Sequence, residues 1–136
     1  MGDVKRLRGR PEKIAELVEE TARGDTRRVK ICLPKDPGQA GIAQVEFYTK
    51  RLNGFVLDFS PESGDKQTRA KPFAVQVNNH NVELINGDWN AAYREELRAF
   101  PYGKWDDQVD ASSRAHMVLT SARLPMRISD KLLERI

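Results

Sequence analysis

Three aspartates with the spacing to act together, Asp106, Asp107 and Asp110, directly follow the segment Pro101-Tyr102-Gly103-Lys104-Trp105. Residues three and four apart share a helix face, so all three could project toward one edge of a first helical turn. Aspartate is also favoured at helix N-termini, where it caps free N–H groups and offsets the dipole, and this explains one or two of them. A third acid exceeds what capping uses, and magnesium or manganese would relieve the repulsion. The spacing alone leaves a helix cap and a metal site both open.

A fourth acid, Asp36, follows a predicted strand. The residues from Arg28 to Leu33 pass from alternating charged and apolar residues to an apolar run, and Pro34 is expected to end the strand. Ligands of open α/β sheets bind beyond the carboxyl ends of strands. An Asp-Pro-Gly sequence is also a common turn, so Asp36 by itself indicates little. If Asp36 met the acidic helix, paired metal ions there could activate a water and stabilise the leaving oxygen of a phosphodiester.

The elements that must position these acids alternate between helix and strand along the chain. Apolar spacing predicts helices that begin at Pro11, Gln39, Lys66 and Trp89, and a last helix that carries the acids. Two further short strands are predicted, at Phe55–Phe59 and Asn81–Ile85. Pro72 interrupts the third helical pattern. This alternation predicts an α/β layer fold with some parallel pairing.

Composition fits one mildly basic domain. The chain has 136 residues, a net charge of +3 and a pI near 9.1. Its one cysteine, Cys32, excludes an internal disulfide framework and fits a reducing cytosol. No apolar run approaches the roughly 20 residues of a membrane span, so no membrane partner is expected. The positive charge alone does not prove a nucleic-acid partner. If the acids converge on a phosphodiester, we expect the basic group Lys66, Arg69 and Lys71 to contact DNA phosphates without base preference.

Four segments occur in the order and with the residue types of one known family. The sequence resembles the C-terminal nuclease domain of the large terminase subunit of tailed bacteriophages over nearly its whole length. The segments that carry the resemblance are Asp36–Gly41, Gly64–Pro72, Gly87–Asn90 and Phe100–Ala111.

The resemblance implies a ribonuclease-H-like mixed sheet flanked by helices, and a metal-dependent endonuclease that cuts concatemeric viral DNA during head filling. It makes Asp36, Asp107 and Asp106 the catalytic acids and adds Asp110 to the ligands of a magnesium or manganese ion. The implied partners are double-stranded DNA, an ATPase motor domain, the portal and the small terminase subunit, in the cytoplasm of a bacterial host of a phage or prophage. No phosphate-cradling loop of the motor occurs in this sequence.

The sequence departs from that family at two places. Similar proteins carry a first catalytic aspartate on an opening strand, and no residue here matches it, because Asp3 resembles the end of a later strand. Trp105 stands where such proteins often carry histidine. We therefore expect residues 1–136 to form one terminase nuclease domain that lacks its opening strands, with a tail at residues 123–136 and a sheet edge open to pairing with a second copy.

The missing acid also keeps a second class of function open. The chain is expected to bind a divalent ion weakly and to nick DNA slowly or not at all, because one bridging ligand is absent. The alternative is a non-catalytic DNA-binding or interaction remnant of the same domain, encoded by a prophage.

Overall fold

The computed structural model describes residues 1–62 and 64–121. Five helices and a two-stranded parallel sheet form the described part of the chain. In chain order they are α1 (Pro11–Asp25), β1 (Lys30–Lys35), α2 (Gly38–Arg51), β2 (Val56–Pro61), α3 (Lys66–Asn78), α4 (Asn90–Ala99) and α5 (Asp107–Ser121). The predicted tail at residues 123–136 lies outside the described residues.

Local signals account for most of these elements. Pro11 is the first residue of α1, where its missing N–H group costs no hydrogen bond. Asp65 caps α3, because its side chain accepts a hydrogen bond from the Thr68 N–H at 2.9 Å. The helix continues through Pro72 in spite of the hydrogen bond that proline removes.

The strands β1 and β2 lie side by side in parallel register, with Cys32 opposite Asp58 and Pro34 opposite Ser60. The expectation that Pro34 ends the first strand is wrong, since β1 continues to Lys35. Each strand of this described pair has a neighbour on one side only, and a strand edge tolerates a residue without an N–H donor. Parallel pairing places the carboxyl ends of both strands at one edge of the sheet.

The predicted strand Asn81–Ile85 does not form. Its backbone bonds to the first residue of the chain instead, because the Met1 amino group donates to the Glu83 carbonyl at 2.6 Å and the Ile85 N–H donates to the Met1 carbonyl at 3.0 Å. The N-terminal segment therefore lies beside the connection between α3 and α4.

Helix α5 packs against α3, α4 and β1, and α2 packs against β1. The buried apolar residues include Leu52, Phe73, Tyr93 and Val109, which come from four different helices or helix ends. Phe47, which its spacing predicts on the buried face of α2, is 47% exposed. Within the described residues, no helix has the length and apolar character needed to cross a membrane.

Candidate active site

Asp36 lies in the turn that joins the end of β1 to α2. The residue is exposed, and its backbone N–H donates a hydrogen bond to the Gln44 Oε1 atom at 3.1 Å. The buried Gly41 in α2 passes so close that an added Cβ atom would stand 1.8 Å from the Asp36 carbonyl oxygen. The turn therefore holds the Asp36 backbone against the first turns of α2 by a contact that only glycine allows.

Gly41→Ala should accordingly displace Asp36 and destabilise the protein by about 2 kcal/mol or more, because the clash is with backbone and cannot be relieved by a rotamer change. Thermal unfolding measures the effect. Gly24→Ala in α1 is the matched control, since a Cβ atom there meets nothing within 4 Å and should be neutral or stabilising. Equal stability of the two variants would contradict the close approach.

The three aspartates of the acidic helix do not all face one edge. The Asp110 N–H donates to the Asp106 carbonyl at 3.0 Å, which places Asp106 just before the first turn of α5. The side chains of Asp106 and Asp110 both reach Lys66 on α3. Asp107 instead lines a separate cavity beside the N-terminal segment. The structure therefore brings together Asp106 and Asp110 and separates Asp107 from them.

Lys66 lies between the two paired acids. Its Nζ atom is 2.8 Å from Asp106 Oδ2 and 3.1 Å from Asp110 Oδ2. The hydrogen bond to Asp106 is the main reason that the pKa of Lys66 is raised above its ordinary 10.5. A raised lysine pKa stabilises the fold below the unfolded-state pKa, and that contribution is lost as the pH rises through the folded-state value. One ammonium group thus offsets the repulsion that the spacing of these acids predicts.

The ion pairs extend from the acidic helix to the end of β2. Arg69 lies 3.6 Å from Asp110 and 3.9 Å from Glu62. Arg114, whose side chain is only 11% exposed, pairs with Glu62 at 2.7 Å and donates to the Ser60 carbonyl at 3.1 Å. These contacts fix α3 and α5 to the carboxyl end of the sheet. Neither Glu62 nor Arg114 was identified from the sequence. For Arg114, the available signal was the position of an arginine within the apolar pattern of a helix.

Glu96 anchors the start of α5 from the neighbouring helix α4. It is 7% exposed, and its Oε1 atom accepts hydrogen bonds from the N–H groups of Gln108 at 2.6 Å and Val109 at 3.4 Å. The free N–H groups of a helix N-terminus attract a carboxylate in this way. This cap was not identified from the sequence. The available signal was the spacing of Glu96 from Tyr93 and Phe100, which puts an acid on the apolar face of α4.

Asp107 is exposed and faces a cavity of about 850 Å³. Asp3, Arg6 and Arg8 of the N-terminal segment line the same cavity, as do Gln108 and Ser112 of α5. Across the ranges 1–62 and 64–121, neither Asp107 nor Asp36 forms a side-chain ion pair. These two carboxylates therefore need break no salt bridge to bind a cation.

The donor set fits a hard divalent cation in its chemistry, since all four predicted acids offer carboxylate oxygens. In the described part of the chain, no three histidine, cysteine or acidic side chains converge in a group that could hold a metal ion. A Mg²⁺ ion needs fewer, because it keeps several waters and is often bound by one or two carboxylates together with substrate phosphates. Of the four predicted acids, Asp106 and Asp110 are held by Lys66 and Arg69, whereas Asp36 and Asp107 have no ion pair with any described residue.

The predicted DNA-binding residues fall into two groups. Lys66 and Arg69 are held by acids, as described above, whereas Lys71 is exposed on α3 and has no ion pair with any residue that the structure describes. His116 of α5 lies beside Phe73 of α3, and the centroids of the two rings are 6.1 Å apart. Burial raises the pKa of the Cys32 thiol, which disfavours a role as nucleophile.

Comparison with known proteins agrees with the resemblance noted in the sequence. The family model described as a terminase RNaseH-like domain matches residues 2–119. Neither a search of curated proteins nor a search of solved structures gave a match. The matched range includes β1, β2 and the acidic start of α5, together with every predicted site residue. Since that range covers most of the chain, the protein belongs to the family of terminase RNaseH-like domains.

Proposed function

We propose that this chain is a metal-dependent DNA endonuclease domain of a phage packaging terminase that hydrolyses phosphodiester bonds of concatemeric DNA. Membership of the terminase family makes DNA and the packaging machinery its partners in general terms. The observation that carries the proposal is the exposure of Asp36 and Asp107 without ion pairs, one beyond a strand and one at a helix start. Nucleases of this class typically use divalent metals, which supply charge neutralisation and a water activated for attack.

Each element of the site has a separate task in this proposal. Asp36 and Asp107 would each offer a carboxylate to the cation, which would neutralise charge at a DNA phosphate. Lys66 neutralises Asp106 and Asp110, and this salt bridge positions the start of α5 beside α3. Glu96 fixes the same helix start from α4. The carboxylates of Asp106 and Asp110 thereby act through position and charge, and they become ligands themselves only if Lys66 moves away.

Plasmid nicking in the presence of Mn²⁺, with EDTA as the metal-free control, tests the proposed activity. Isothermal titration calorimetry with Mn²⁺ alone tests the site independently of turnover. Nicking that EDTA abolishes, even if slow, supports the endonuclease. Absence of both nicking and Mn²⁺ binding contradicts it.

The ion pairs of Asp106 and Asp110 favour one second candidate, a DNA-binding module that does not cleave. Two of the acids in the motif are already neutralised by Lys66 and Arg69, as in a purely structural network. Such a module would bind DNA with the same affinity with or without Mn²⁺, and it would leave the plasmid intact.

The exposed Lys71 on α3 allows a separate test of DNA binding. Lys71→Gln should weaken duplex binding and reduce the slope of log affinity against log salt by about 1, because one exposed phosphate contact is lost. Fluorescence anisotropy with a labelled duplex across a range of salt concentrations measures this. Lys50→Gln is the matched control, since Lys50 lies on α2 and pairs with Glu46 at 2.8 Å. Identical slopes for both variants would exclude Lys71 from the DNA interface.

A further inference from the structure

The loop between α4 and α5 carries two accessible aromatic side chains immediately before the acidic helix. Tyr102 is 94% exposed and Trp105 is 38% exposed. Large aromatic rings at the surface offer flat faces for stacking. Trp105 directly precedes Asp106, so any ligand of these rings would lie next to the candidate active site.

Two cations lie against the Trp105 ring. The guanidinium carbon of Arg8 lies 3.5 Å from the centre of the Trp105 ring, and the Lys104 Nζ atom lies 5.0 Å from it. Arg8 is itself exposed, so its stacked guanidinium group extends the aromatic platform with a second flat and positively charged face. Arg10 adds another exposed charge on the same segment.

The loop is held in place before any ligand binds. The Tyr102 N–H donates to the Ala99 carbonyl at 2.9 Å, and Gly103 packs so closely on Ala99 that a Cβ atom would stand 2.9 Å from that side chain. Little conformational entropy is therefore lost when a ligand stacks on the loop, which favours tight binding.

From this combination we infer that Tyr102, Trp105 and Arg8 form a stacking platform for unpaired DNA bases, with Lys104 and Arg10 beside the phosphates. Proteins bind single-stranded nucleic acid with aromatic rings and arginine planes that take base faces and with cations along the backbone. Duplex DNA buries its base faces, so the platform selects locally unpaired DNA.

This inference rests on the proposed function because it takes DNA as the ligand. It adds that the DNA is locally unpaired where it contacts the protein. A strand with an unpaired base at the platform would continue directly past Asp106 and Asp107. Because stacking needs no metal ion, the platform can be tested in EDTA. A failure of cleavage would then leave the result on base stacking unaffected.

The experiment follows the fluorescence of Trp105 in the full chain with Trp89→Phe, which leaves Trp105 as the one tryptophan. Single-stranded oligothymidylate in EDTA should quench its emission, and it should bind about tenfold more tightly than a duplex of the same length. Anisotropy of labelled DNA reports binding in variants without this tryptophan.

Variants separate stacking from general charge. Trp105→Leu and Tyr102→Ala should each lower the affinity for the single strand by about fivefold or more. Trp105→Phe keeps an aromatic ring and should retain most of the affinity. Phe47→Leu is the matched control, because Phe47 is also exposed and lies near an arginine, Arg51, at 5.9 Å, but on α2. Unchanged Trp105 emission at saturating single-stranded DNA would overturn the inference. The inference would also be overturned if single strand and duplex bound with equal affinity and if Trp105→Leu and Phe47→Leu had the same affinity for the single strand.

Discussion

Asp107→Asn should lower the affinity for Mn²⁺ by at least about tenfold and any DNA cleavage by about 100-fold or more. Mutation of a residue that only supports a metal ligand typically lowers metal affinity or activity by about 10–100-fold, so mutation of a direct ligand should lower it by at least as much. The rate should fall further because charge stabilisation in the transition state is lost. The expectation follows from the exposed carboxylate of Asp107, which no cation in the described part of the chain neutralises. Calorimetry with Mn²⁺ and plasmid nicking measure the two effects separately.

Asp110→Asn is the matched control for this prediction. Its carboxylate is paired with Lys66 and Arg69, so its loss should weaken the contact between α3 and α5 and lower the melting temperature, with a smaller effect on Mn²⁺ binding. Lys66→Met provides the opposing test, since it leaves Asp106 and Asp110 free. Tighter Mn²⁺ binding by Lys66→Met, together with unchanged binding by Asp107→Asn, would move the metal site to Asp106 and Asp110.

Glu96→Gln should destabilise the protein by about 2 kcal/mol, although the new side chain has nearly the same shape. Oε1 of the carboxylate accepts from two backbone N–H groups at the start of α5, and Oε2 accepts from the side-chain amide of Gln108. A glutamine at position 96 loses the charge and sets its own NH₂ group against one of these donors. Arg6, at 3.9 Å, would also lose its acid partner. Chemical or thermal unfolding should show a fall in melting temperature of roughly 5–10 °C.

Glu95→Gln is the control for the loss of one negative charge on α4, because Glu95 is exposed and should change the stability by less than about 0.5 kcal/mol. The destabilised Glu96→Gln protein should also bind Mn²⁺ less well if Asp107 depends on the position of the α5 start. A Glu96→Gln protein as stable as Glu95→Gln would show that the buried carboxylate does not anchor the helix.

Helix and strand positions were largely predictable from the sequence, because their signals are local. Pro11 at a first helical position, Asp65 before Lys66, and Asn53-Gly54 after α2 each mark a boundary by their own backbone preferences. The predicted starts of α1, α2, β2, α3 and α4 are each confirmed to within about one residue.

The errors have a common cause, since each depends on a distant partner. Asn81–Ile85 has the residue types of a strand, but Met1 bonds to its backbone and no sheet neighbour lies there among the described residues. Pro34 remains in β1 because, among the residues that the structure describes, that strand is paired on one edge. Phe47 follows the helical spacing of a core residue, yet no element covers that face of α2 within the described chain.

The sequence by itself determined which chemical groups the candidate site contains. The sequence shows four aspartates after a strand and at a helix start, a basic helix between them along the chain, and the order of the motifs. They were sufficient to identify the family, because residue types and their order along the chain are properties of the sequence alone.

Only the tertiary structure decided how those groups are paired. It joined Lys66 to Asp106 and Asp110, left Asp107 on the other side of the helix start, and brought Glu96 and Arg114 to contacts that no motif indicates. The physical reason is that an ion pair or a helix cap depends on packing between helices and strands far apart in sequence. Spacing within one helix can limit the faces that its acids share, but it cannot specify which cation lies opposite each of them.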